Sequence, residues 1–165
     1  MGGRALSVLL SRQSARAHGV VGSYLNPEPR MTAPLLEIPS RFFLGQDRAK
    51  GPPPGDLLSA QYRAEIVGFP PMDAEGHAAF ARAFYAGFPD LYHTVDEVQQ
   101  TSDGAIVRFT IRGTHTGAFM GIPASGRPVE IAAMALMSIE NDRVSLVRGM
   151  FDQLGLMRQL GVVPS

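Results

Sequence analysis

Cysteine is absent from this chain, and with it disulfides, thiolate metal sites and cysteine nucleophiles; the folded state must rest on burial alone. Net charge is missing too, since fifteen basic side chains stand against fifteen acidic ones. That balance removes the basic footprint needed to neutralise phosphates, so no nucleic-acid partner is expected. No uninterrupted apolar run is long enough to cross a bilayer, so no membrane association is expected, and a reducing, cytoplasmic setting is the expectation. The four histidines lack companion ligands at metal-site spacing, so no metal and no cofactor are expected. What remains is a chain of 165 residues, 45% apolar and 18% charged, the profile of one folded domain.

Composition changes along the chain. Residues 1–30 carry Arg4, Arg12, Arg16 and Arg30 against the single acid Glu28, with small residues and Leu9-Leu10 between them. An arginine-rich, acid-poor start fits an organelle-targeting segment; the simpler reading takes Met31-Thr32-Ala33-Pro34 as a natural start and residues 1–30 as an unstructured extension. Residues 31–55 read as an irregular or helical lead-in ending in Gly51-Pro52-Pro53-Pro54-Gly55, whose prolines forbid helix and sheet alike. The ordered domain is expected over residues 56–165.

Within that domain Asp73 stands where it can cap a helix, and His77, Phe80, Phe84 and Phe88 follow at three- and four-residue steps up to Gly87 and Pro89. The period then changes to two. Val95 and Val98 mark a weak strand, Asp103-Gly104 a hairpin, and Val107, Phe109, Ile111 and His115 share one face of the strand Ala105 to Thr116. A long turn over Gly117 to Pro128 leads to Val129–Glu140 and Arg143–Asp152, joined at Asn141-Asp142. Leu154, Leu156, Met157 and Leu160 form a last short helix closed by Gly161. Helices followed by a meander of long strands give an α+β class, with a curved antiparallel sheet wrapping helices and a cavity for a small apolar ligand at its mouth. Both parities of Ile131 to Met137 are apolar, which predicts a second cover for that strand and hence a homodimer, because Ile131, Ala133 or Met134 would otherwise face water.

Four segments carry a resemblance. Phe88-Pro89-Asp90-Leu91, Gly113-Thr114-His115-Thr116-Gly117-Ala118-Phe119-Met120-Gly121-Ile122-Pro123, Ser125-Gly126-Arg127-Pro128, and Phe151-Asp152-Gln153-Leu154-Gly155-Leu156-Met157-Arg158-Gln159-Leu160-Gly161 are similar, in order and spacing, to the SnoaL-like polyketide cyclase or ester cyclase family. The resemblance spans about residues 56–163 and implies the cone-shaped α+β barrel of the nuclear transport factor two-like superfamily. It also implies intramolecular aldol closure of a polyketide ring, or a related isomerase or lyase reaction, without metal or cofactor. The aspartate that serves as general acid/base in the family's motif matches Asp152. This chain departs at two places: Tyr62-Arg63-Ala64 is followed by Glu65 where many members have histidine, and Leu146 and Arg148 replace an acid and a tryptophan.

Candidate residues follow. Asp152 shares strand parity with Val144, Leu146 and Met150, so its carboxylate is expected on an apolar face as a proton-transferring base; alternatively it caps the last helix. His115 could donate to a substrate oxygen, or be turned out by a bulge at Gly113, or be a core histidine. Phe84, Met137, Phe119 and Met120 are expected as cavity lining, the last two from a loop acting as wall or lid, with His77 on the aromatic stripe. Arg148 is two pleats from Asp152 and could pair with it, and Glu65 could enter the pocket at the family's histidine position. His93 is expected at the surface. Two functions compete: a cyclase or isomerase working by proton transfer on a small apolar oxygenated molecule, and a binding or dimerisation module without chemistry. An epoxide-hydrolase-like enzyme is a weaker variant of the first.

Overall fold

The computed structural model describes residues 33–164; the readings made of residues 1–30 fall outside them. Three helices pack with one five-stranded sheet. Helix α1 spans Ala33–Ala49, α2 Ala74–Gly87 and α3 Gln153–Leu160; the strands are β1 Leu58–Ile66, β2 Tyr92–Gln100, β3 Gly104–Thr114, β4 Pro128–Glu140 and β5 Arg143–Phe151. The sheet order is β1-β5-β4-β3-β2. Strands β2 to β5 form the expected antiparallel meander, whereas β1 joins its far edge parallel to β5.

Local chemistry sets these elements. Asp73 accepts from the Gly76 amide at 2.9 Å and starts α2; Asp152 accepts from the Gly155 amide at 2.7 Å and starts α3, which ends at Gly161 with φ 82°. Asn141 and Asp142 both take positive φ, 50° and 60°, the backbone of the tight hairpin turn that joins β4 to β5. In α1, Ile38, Phe42, Phe43 and Gln46 recur at helical spacing and are all buried. The segment read as a lead-in therefore packs into the same core as the strands.

Two bulges decide which side chains face that core. In β2, Val95 pairs with Phe109 and Glu97 with Arg108, leaving Asp96 as the extra residue. In β5, Ile139 pairs with Val144 and Ser138 with Leu146, leaving Ser145 extra. A one-residue insertion exchanges the two faces of every residue beyond it. Val147 is buried accordingly, while Arg148, Met150 and Asp152 are exposed. Along β4, Ile131, Ala133, Ala135 and Met137 are buried, while Ala132 and Met134 are exposed and Leu136 is partly covered. Among the described residues, no helix is long and apolar enough to cross a membrane.

Candidate functional site

Between α1, α2 and the inner face of the sheet lies a cavity of about 90 Å³. Its wall is largely aromatic, with Phe42 and Phe43 from α1, Phe80 and Phe84 from α2, and Phe109 and Phe151 from the strands. The polar groups in that wall are Gln46, His77, Tyr85 and His93. Phe42 and Phe43 are consecutive on α1 and stack on different histidines: Phe42 on His77 with centroids 6.2 Å apart, Phe43 on His93 at 4.9 Å.

His93 is held by Asp47. Asp47 Oδ1 lies 2.7 Å from His93 Nδ1, Oδ2 accepts from the His93 amide at 2.9 Å, and the Tyr85 hydroxyl donates to Oδ1 at 2.8 Å. The His93 and Asp47 side chains are only 10% and 13% exposed. Burial pushes the Asp47 carboxyl up, but the hydrogen bonds from the His93 ring and amide, the attraction of that ring and the Tyr85 hydroxyl outweigh it, leaving the group below the ordinary carboxylate range. An ionised carboxylate only accepts, so the proton between the pair sits on His93 Nδ1, and Nε2 is the ring atom left to exchange a proton with a substrate. Burial, reinforced by the bond to Asp47, pushes the Tyr85 phenol up and keeps it a donor.

His77 is held differently. Its Nδ1 lies 2.7 Å from the hydroxyl of Tyr62, which is 2% exposed and has no other side-chain partner among the described residues. Burial lowers His77 to about 4 and raises the Tyr62 phenol, so both are neutral at neutral pH.

Of the residues expected from sequence, His77 and Phe84 line this cavity. Asp152 is exposed, its carboxylate occupied by the α3 amide of Gly155, and the bulge at Ser145 is why parity misplaced it. His115 is fully buried; its Nδ1 faces the Ser125 hydroxyl at 3.0 Å and accepts from the Ser125 amide at 3.2 Å, and its ring lies 5.0 Å from Phe88. That is the core-histidine alternative, with His115 pinning the loop after β3. Phe119 packs behind α2 against Phe84 and Phe88, where a Cβ on Gly87 would come within 2.7 Å of it, and Met120 is 64% exposed. The loop therefore braces α2 and does not wall the cavity. Met137 is sealed in the core outside the cavity wall. Glu65 and Arg148 are register partners on the outer face and pair with each other at 2.8 Å, so neither enters the cavity nor meets Asp152.

Asp47, Tyr62 and Tyr85 were not anticipated, and His93, expected at the surface, is set in the cavity wall instead. His93 stands two residues before Val95, so the strand parity already turned it inward once the strand was accepted. Tyr62 shares parity with buried Ala64. Asp47 lies four residues after Phe43, a signal available only if residues 33–49 are read as a core helix.

A family model described as SnoaL-like polyketide cyclase matches residues 55–160. The chain belongs to that family. Among solved structures it is similar to a candidate SnoaL-like polyketide cyclase from Jannaschia sp. CCS1, at 24% identity and TM-score 0.68 over 79% of this chain and 94% of that one. IdmH, a candidate polyketide cyclase from Streptomyces antibioticus, gives 24% identity and TM-score 0.68 over 79% and 99%. A protein from Catenulispora acidiphila DSM 44928, described as having a ketosteroid isomerase-like fold and solved with trimethylamine, gives 13% and 0.63 over 76% and 92%. These likenesses establish the cone-shaped α+β fold. No curated protein matches the chain.

Proposed function

We propose that this chain is a cofactor-free proton-transfer enzyme of the cyclase or isomerase type, acting on a small apolar carbonyl compound inside the aromatic cavity. The observation that carries this reading is His93 in the cavity wall with the Asp47 carboxylate held 2.7 Å from its Nδ1. His93 Nε2 takes the proton from a carbon beside the substrate carbonyl, and Asp47 stabilises the imidazolium that forms. In a ring closure the enolate carbon then attacks a second carbonyl of the same molecule. The new alkoxide recovers the proton from His93, so no proton is gained or lost. A volume of about 90 Å³ is below the roughly 150 Å³ of an apolar cavity that takes up benzene, so the part of the substrate that enters it is smaller than a full ring, the carbonyl end of a one-ring ketone.

The resemblance assigns the acid/base role to Asp152; the place of His93 in the wall, backed by Asp47, favours that pair instead. The test needs no knowledge of the product: a panel of one-ring methyl ketones in D₂O, with exchange of the protons beside the carbonyl followed by NMR. Exchange above buffer is expected with the wild type, reduced on the order of a hundredfold in His93→Gln and Asp47→Asn. A folded wild type that exchanges none of them would leave a cone that binds without reacting. We further propose that the protein pairs with a second copy of itself through the outer sheet face, where the register partners Met134 and Met150 are 44% and 55% exposed beside Val67 at 59%.

A further inference from the structure

The acid/base reading above leaves one requirement unmet: negative charge gathers on the carbonyl oxygen as the proton leaves carbon, and His93 cannot serve both atoms. We propose that His77 is the second catalytic residue, held by Tyr62 as the neutral tautomer with hydrogen on Nε2, and that this N–H bonds the substrate's carbonyl oxygen.

The tautomer follows from hydrogen-bond accounting. Tyr62 is buried and its hydroxyl meets a single group among the described residues, His77 Nδ1 at 2.7 Å. If Nδ1 carried the hydrogen, the hydroxyl hydrogen would be left without an acceptor in an apolar interior, an expensive arrangement. The Tyr62 hydroxyl therefore donates, Nδ1 accepts, and Nε2 bears the hydrogen. Where that hydrogen goes is the second observation. His77 lines the cavity, and its Nε2 has no hydrogen-bond partner among the described residues. Nor is it one of the sealed polar atoms, which are Ser59 Oγ and His115 Nε2. His115 makes the contrast clear: its Nδ1 also accepts, from Ser125, but its Nε2 is shut inside the core. Of these two histidines it is His77 whose ring lines the cavity. Phe42 stacked on the ring at 24° fixes its plane.

Burial disfavours the charged ring, so His77 acts as a hydrogen-bond donor and keeps its proton. As His93 removes the carbon-bound proton, the C–H pair becomes the enolate double bond and the carbonyl pair moves onto oxygen, which His77 holds. When the enolate carbon bonds to the second carbonyl, that oxygen returns to a carbonyl and the new alkoxide is protonated by His93.

Two readouts test this without turnover. Long-range ¹H–¹⁵N correlation spectra of the full chain labelled at histidine should show His77 protonated at Nε2, bare at Nδ1 and unchanged from pH 8 to 5.5. A protonated Nδ1, or titration within that range, overturns the assignment. With 4-nitrophenolate as a stand-in for the enolate, the His77 Nε2–H signal should move downfield and affinity should fall about tenfold in His77→Phe. An unmoved signal, or a probe that does not bind, counts against it. Absence of ketone exchange would sink the His93 reading while these signatures stood, and the wrong tautomer would sink this one while exchange persisted.

Discussion

The two cavity histidines are gripped through the same ring atom, Nδ1, by partners of opposite character. A carboxylate accepts from His93 and leaves its Nε2 to exchange a proton; a phenol donates to His77 and frees a hydrogen. The difference has a consequence for stability. The unfolded chain binds a proton at His77 near pH 6.5, whereas the native ring resists it down to about 4. Its contribution is intact above pH 6.5 and is lost as pH falls from there towards 4, because only the unfolded state takes up the proton. Between pH 6.5 and 5 the expected loss is about 2 kcal/mol, read from urea midpoints. His77→Gln should remove that part of the slope, and identical slopes in the two proteins would show that His77 charges normally in the fold. At this scale the sequence was half legible. His77 was visible because it repeats with Phe80 and Phe84, while His93 was hidden because Val95 and Val98 stand on opposite parities and only the bulge at Asp96 reconciles them.

Bulges and caps belong to the scale of elements. Parity is reliable until one residue is inserted, and no local signal in Val144-Ser145-Leu146 announces the insertion that turns Arg148 and Asp152 away from the cavity. Helices α2 and α3 and the β4–β5 turn, by contrast, were readable: Asp73 and the aromatic stripe of α2, Gly161 after α3, and Asn141-Asp142 each state their own geometry. The competing duties of Asp152 separate cleanly here. Asp152→Ala should cost about 1 kcal/mol of stability by denaturant titration through loss of the α3 cap, and Asp152→Asn only a few tenths, since asparagine caps as well. Under the Asp47–His93 assignment, Asp152→Asn leaves ketone exchange within about twofold of wild type. A hundredfold loss in that folded variant would return the acid/base role to Asp152.

For the whole molecule, the sheet has one face filled by helices and the other left with Met134, Met150 and Val67 in the open, edged by the Glu65–Arg148 pair. Sedimentation equilibrium at micromolar concentration should give a dimer, and Met134→Glu should shift it to monomer; a monomeric wild type would sink the pairing. The α+β class could be read from the chain, but the extent of the core could not. The proline triplet looks like a border, yet α1 reaches across it to deliver Phe42, Phe43 and Asp47.

The parallel seat of β1 has a further meaning for the order in which the molecule comes into being. Strands β2 to β5 are consecutive in the chain and are able to zip together as each leaves the ribosome, but Glu65 meets Arg148 only across a sequence separation of 83. Tyr62 rides on that late strand. A nascent chain stopped short of Arg143 holds both histidines but lacks the sheet partner of β1, so the strand that carries Tyr62 enters the sheet only once nearly all of the protein has been made.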